Sequence, residues 1–196
     1  MRQKAHSSKR NHNRRNSNGA QLAEFGPALA LLVGIIIVPL LDLSLLPIRW
    51  ILAQNLVNDY SRQLSLCETF SQSLRRLNAF PSLSSRLRDL GGIRTDSIDM
   101  HLKVSRVSGG AGNQAELNIS TPGAIPGVWL PNGANAPCSY LLEIQINSLM
   151  SPAFLFPKCG IDIPGLNSPV PLLLTASHNW ENLGRDPRTH CFFLNE

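Results

Sequence analysis

The chain has 196 residues, of which 43% are hydrophobic and 16% charged, and its formal net charge is +5. Six of the 18 Lys and Arg residues (Arg2, Lys4, Lys9, Arg10, Arg14 and Arg15) precede the first acid, which leaves 12 against 13 Asp and Glu, a remainder of −1. The excess charge therefore describes a tail and not a basic surface, and the length beyond tail and apolar run holds one small domain at most.

Residues 1–19 form a leader of Arg, Lys, Asn, Ser and His with no apolar periodicity, the composition of a disordered segment. No basic amphipathic element or aromatic platform supports nucleic-acid binding. Positive charges beside an apolar run mark the cytoplasmic side of a membrane. Arg14-Arg15 is followed by Asn16-Ser17-Asn18 rather than by apolar residues, which argues against a twin-arginine signal.

Glu24 stands at the mouth of the apolar run, and the 17 residues from Phe25 to Leu41 carry no charge. A bilayer core of about 30 Å takes about 20 helical residues. The span therefore closes only with Asp42 near the outer interface and Leu43 to Ile48 as an apolar shoulder. The transmembrane segment is read as 20–48. Pro27 falls in the first turns, where proline costs little, whereas Pro39 and Pro47 are expected to kink or loosen the outer end. Trp50 sits where interfacial aromatics collect. The run is longer than the core of a cleaved secretory signal, and Ile51-Leu52-Ala53 is a poor cleavage site, so an uncleaved anchor is expected.

Residues 49–90 read as an amphipathic helical region. Ile48, Leu52, Leu56, Tyr60, Leu64, Cys67, Phe70, Leu74 and Leu77 recur at steps of three or four, with Asp59, Arg62, Glu68, Arg75 and Arg76 off the stripe. The stripe suits a helix packed on its own domain, or a seam between protomers; strands downstream that need a partner favour the first. Pro81 stops it, and a short helix over 83–90 ends at Gly91-Gly92.

From residue 91 the period changes to two. Met100 to Val107, Ala115 to Ser120, Leu142 to Asn147 and Leu172 to Glu181 alternate apolar and polar, the pattern of half-buried antiparallel strands. Loops rich in Gly, Pro and Asn separate them, at 109–113, 121–137 and 157–171. The fold class implied is α+β: an N-terminal membrane helix continuing into an amphipathic helix packed on a small antiparallel sheet, with 91–196 as an extracytoplasmic β domain.

Cys67, Cys138, Cys159 and Cys191 all follow the span, and an even number on the oxidising side of a membrane makes them disulfide candidates, with three pairings open. No C-x-x-C pair points to zinc or to thiol–disulfide catalysis. G-x-S-x-G, H-E-x-x-H and a phosphate-cradling glycine loop are also missing, so neither an enzyme nor a cofactor nor a metal is expected. His101 and His178 lie in strands, where packing is their ordinary role. His178, Glu181 and His190 match no metal spacing, and the sequon at Asn118 to Ser120 falls inside a strand.

Gly19, followed by Ala20-Gln21-Leu22-Ala23-Glu24-Phe25, resembles the cleavage motif of type IV prepilins, which are cut after a glycine and keep a glutamate at mature position five. With its long helix and small extracytoplasmic part, the chain is similar to the TadE/TadG-like pseudopilins of Tad (Flp) pilus assembly systems. The match covers about Arg14 to Leu45. Pro27 and Pro39 flank the place where those relatives carry a mid-span proline. The resemblance implies that a prepilin peptidase recognises Gly19 and that Ala20 becomes the new terminus. Glu24, beside Phe25, would then pair with its own Ala20 amine or a neighbour's and set the register. It implies membrane lipid, prepilin peptidase and other pilins or Tad assembly proteins as partners, no nucleic acid, and single-pass residence in the cytoplasmic membrane with the C-terminal domain outside. The alternative is an unprocessed, signal-anchored domain that binds a ligand or partner through its loops.

Overall fold

The computed structural model describes residues 25–79, 81–107, 116–154 and 162–196. The chain is α+β, with a long N-terminal apolar helix and a small four-stranded antiparallel sheet.

Helix α1 runs over Phe25–Ser65. A π turn, Val33–Ile37, lies within it, closed by the Val38 N–H on the Val33 carbonyl. It comes just before Pro39, which has no N–H to give and whose ring crowds the carbonyl four residues back; a widened turn relieves that crowding. The helix continues through Pro47 without a break.

The second half of α1 packs on the sheet, against β4 above all. Its buried positions are Ala53, Val57, Tyr60, Ser61, Leu64 and Ser65, whereas Ile48 and Leu52 are about half exposed, at 54% and 48%. The expected stripe is therefore correct from Leu56 onward, with Leu56 partly buried against the core, and out of phase at Ile48 and Leu52. Apolar residues surround this part of the helix, so sequence periodicity does not choose a face. The sheet takes the small side chains Ala53 and Val57, which let the helix axis approach closely.

The helical region is also not continuous. α1 ends at Ser65, whose carbonyl accepts the Glu181 N–H at 3.2 Å, and a turn over 66–69 leads to α2 (Phe70–Asn78). Thr69 caps α2 by accepting the Gln72 N–H at 3.1 Å. The Glu196 carboxylate accepts both the Ser71 N–H, at 2.7 Å, and the Ser71 hydroxyl. Leu64, Cys67, Phe70 and Leu77 stay buried across the break, so the apolar stripe survives the interruption. α3 (Leu83–Asp89), capped by Ser82, ends before Gly91 and Gly92, whose φ angles of 98° and 77° suit glycine.

The sheet comprises β1 (Ile93–Arg106), β2 (Glu116–Ile119), β3 (Cys138–Met150) and β4 (Val170–Asn179), in the order β2-β1-β3-β4 with all neighbours antiparallel. β1 starts well before the alternation legible in sequence. A register shift between Thr95 and Ser97 changes its phase, so that Ile93 and the set Met100, Leu102 and Val104 are buried alike. Rows across the inner face run Leu102–Leu142–His178, Met100–Ile144–Ala176 and Ile98–Ile146–Leu174. The outer face is polar. Lys103 pairs with Glu116 at 2.9 Å, which raises the lysine pKa, and His101 meets Glu143 at 3.3 Å.

Candidate functional site

A helix that is apolar all round has no preferred face, and in water nothing holds it except another apolar body. From Phe25 to Ile37 every residue of α1 is exposed, with Phe25 at 64% and Ile35 at 65%. The stretch from Phe25 to Leu41 extends about 26 Å at the rise of an α-helix. Among the described residues one helix, α1, is long and apolar enough to cross a membrane. Soluble monomers rarely leave so large an apolar surface uncovered.

Asp42 ends this surface. Its side chain is fully buried. One carboxylate oxygen accepts the Ala153 N–H at 2.8 Å and the other the Phe154 N–H at 3.3 Å. Two helical turns later on the same side, Arg49 donates to the Ser151 carbonyl at 3.2 Å. The Ser151 N–H in turn reaches the Gly92 carbonyl at 2.9 Å. An acid and a base on one helix face thus grip the segment that leaves β3, the acid by its donors and the base by its acceptor. Between them the helix lies against Gly165, where an added Cβ would come within 2.8 Å of the Leu46 side chain and 3.5 Å of Leu43. The apolar half of α1 therefore projects from the domain at an angle set by two charged side chains and a close glycine contact.

The sequence places Asp42 near the outer end of the span, and the structure adds a contact within the chain. What marks it in the sequence is its distance of seven residues from Arg49. Its partners are backbone N–H groups more than a hundred residues away, which no motif announces.

The other residues singled out in the sequence are dispersed. Gly19, Ala20, Glu24 and Cys159 lie outside the described residues; Phe25 is exposed at the first turn. Cys67 is buried beside the end of α1, Cys138 starts β3 and donates to the Asn135 carbonyl at 3.3 Å, and Cys191 is exposed near the C-terminus. These three carry free thiols and are not joined to one another. Burial raises the pKa of Cys138, opposed by the charge of Arg106. His178 sits half-buried in the inner row of β4, whereas Glu181 and His190 are exposed; among the described residues no three His, Cys, Asp or Glu side chains are grouped to hold a metal.

Compared with protein-family models, with curated proteins and with solved structures, the chain matches none.

Proposed function

We propose that the chain is a pseudopilin or minor pilin of a Tad (Flp) type IV pilus assembly or secretion system. In this reading one span of α1 anchors it in the cytoplasmic membrane, the sheet domain stands outside, and a prepilin peptidase cuts after Gly19. The observation that carries the reading is the division of α1: one half exposed and apolar throughout, the other packed on a four-stranded sheet. In sequence the Gly19 to Phe25 motif directly precedes the apolar run that this helix contains.

The chemistry follows from charge in an apolar medium. Cleavage creates a cationic amine on Ala20, four residues from Glu24. An unpaired carboxylate in hydrocarbon is costly and becomes neutral, so pairing with an amine, its own or a neighbour's, rewards one axial register. The grip of Asp42 and Arg49 then makes the position of the domain follow that of its helix. The chain is a substrate of processing and a part of an assembly, not a catalyst.

The test is the mass and amino-terminal sequence of the membrane-extracted protein, with and without a co-expressed prepilin peptidase. A mature chain that begins at Ala20, abolished by Gly19→Leu, supports the proposal. An intact leader in the presence of an active cognate peptidase overturns it and leaves an unprocessed anchor for a binding domain.

A further inference from the structure

Outside the basic leader the chain carries a net charge of −1, yet its cations are not evenly spread. Arg62, Arg75, Arg76, Arg86 and Arg88 fall between residues 62 and 88, against Glu68 in the same stretch, Asp89 at the end of α3 and Glu196, whose carboxylate sits on Ser71 of α2. All five are exposed, and none makes an ion pair among the described residues. The end of α1, α2 and α3 bring this stretch together around a cleft of about 200 Å³ lined by Tyr60, Gln63, Leu64, Arg76, Pro81 and Arg86. Its wall is fixed in two ways. The buried Tyr60 donates its hydroxyl to the Pro81 carbonyl at 3.0 Å, and the Arg86 guanidinium lies 5.5 Å from the Tyr60 ring centroid.

We propose that this cleft binds an acidic segment of a partner protein, with one Asp or Glu side chain entering between Arg76 and Arg86. Three arguments point to that occupant. Guanidinium groups hold carboxylates through paired, charge-assisted hydrogen bonds, and here two of them line one cleft without a carboxylate. The volume is below the range of about 300–1,000 Å³ that encloses a drug-sized ligand, and suits a single side chain. Tyr60, in the wall of the cleft, lies about 27 Å along the helix from Asp42, well beyond the screening length of about 8–10 Å, so lipid headgroups at the base of the domain do not reach the cleft. The inference goes beyond the pilin reading and stands whether or not the leader is cleaved.

The experiment uses the full chain in neutral detergent micelles and a fluorescein-labelled hexaglutamate peptide, followed by anisotropy. The wild type is expected to bind, more weakly as salt rises. The double variant Arg76→Gln, Arg86→Gln is expected to bind about tenfold more weakly or worse. Arg94→Gln, an exposed arginine on β1, is expected to leave binding unchanged. The reversed pair Arg76→Glu, Arg86→Glu, with an unchanged melting temperature, is expected to lose hexaglutamate and gain a labelled hexalysine peptide. No binding by the wild type, equal binding by the double variant, or an equal loss in Arg94→Gln overturns the proposal. So does displacement of hexaglutamate by a thymidylate hexamer at equal or lower concentration, which would make the site a phosphate binder.

Discussion

The two halves of α1 share one continuous backbone and face two different surroundings. Residues 25–41 hold no charge and bury almost nothing, whereas residues 42–65 carry Asp42, Arg49, Gln54, Asp59 and Arg62 and bury one face against the sheet. In the second half the domain itself supplies the apolar partner, and some polar residues reach a specific backbone group, as Gln54 does at the Thr175 carbonyl, whereas the Ser61 hydroxyl is buried without a hydrogen-bond partner among the described residues. In the first half nothing among the described residues serves as partner. The boundary is narrow: Leu41 is 53% exposed and the next residue, Asp42, is fully buried. Helical propensity does not distinguish the halves; what covers each one does.

The sharpest test is the same substitution on both sides. Leu64→Ala removes a side chain that is 1% exposed in the core between α1 and the sheet, and is expected to cost about 3 kcal/mol in chemical unfolding of the detergent-solubilised protein. Leu31→Ala removes one that is 59% exposed, and is expected to change stability by less than about 0.5 kcal/mol. Similar losses at the two positions would break the comparison.

The boundary is tested at Asp42. Asp42→Ala removes a fully buried carboxylate that accepts the N–H groups of Ala153 and Phe154, and is expected to cost about 2 kcal/mol. Hydrogen exchange is the direct readout: the two amides should lose protection while those of β3 and β1 keep theirs. Asp42→Asn, which retains one acceptor oxygen, should fall between. Gly165→Ala probes the same junction from the other side. Its φ of 88° is unfavourable for alanine, and the new methyl would collide with Leu46, so a loss of about 1–2 kcal/mol is expected. A wild-type melting temperature for Gly165→Ala would show that the helix is not held closely there.

Which of these features could be read from sequence depends on how local their cause is. The later part of β1, with β2, β3 and β4, is legible because a sheet with one wet face forces alternation, and Leu174, Ala176 and Trp180 do lie buried opposite the exposed Thr175, Ser177 and Asn179. The first part of β1 is not, because the irregularity between Thr95 and Ser97 breaks the alternation that identifies a strand. The stripe on α2 is clear where Ser71, Gln72, Arg75 and Arg76 surround Phe70 and Leu77. It is ambiguous over residues 48–57, where apolar residues occupy every face and only the sheet decides. The junction was hidden for another reason. A carboxylate in an apolar helix announces a partner without saying which, and here the partner is backbone from a distant loop. The cleft between Arg76 and Arg86 was hidden by averaging, since the charge of the whole remainder conceals a local cluster.

Within the sheet domain the smallest effect is expected at Tyr140, and it shows how far the domain stands by its own contacts. Tyr140 on β3 is 3% exposed, and its hydroxyl donates to the Trp129 carbonyl at 2.6 Å, which ties the loop before β3 to the sheet. Burial, reinforced by the nearby Cys138, pushes the phenol pKa up from its ordinary 10.0, so the folded state holds the proton more firmly than the unfolded chain. The stability that this preference contributes is complete below pH 10.0 and declines as the pH rises above it, because the unfolded phenol then ionises while the folded one does not. Tyr140→Phe should therefore cost about 1 kcal/mol at neutral pH through the lost hydrogen bond, and should lessen the alkaline decline. Because Tyr140 belongs to the sheet and not to α1, both effects should be the same in detergent and in lipid vesicles. A dependence on the membrane medium would mean that the exposed helix and the sheet are coupled more tightly than the junction at Asp42 implies.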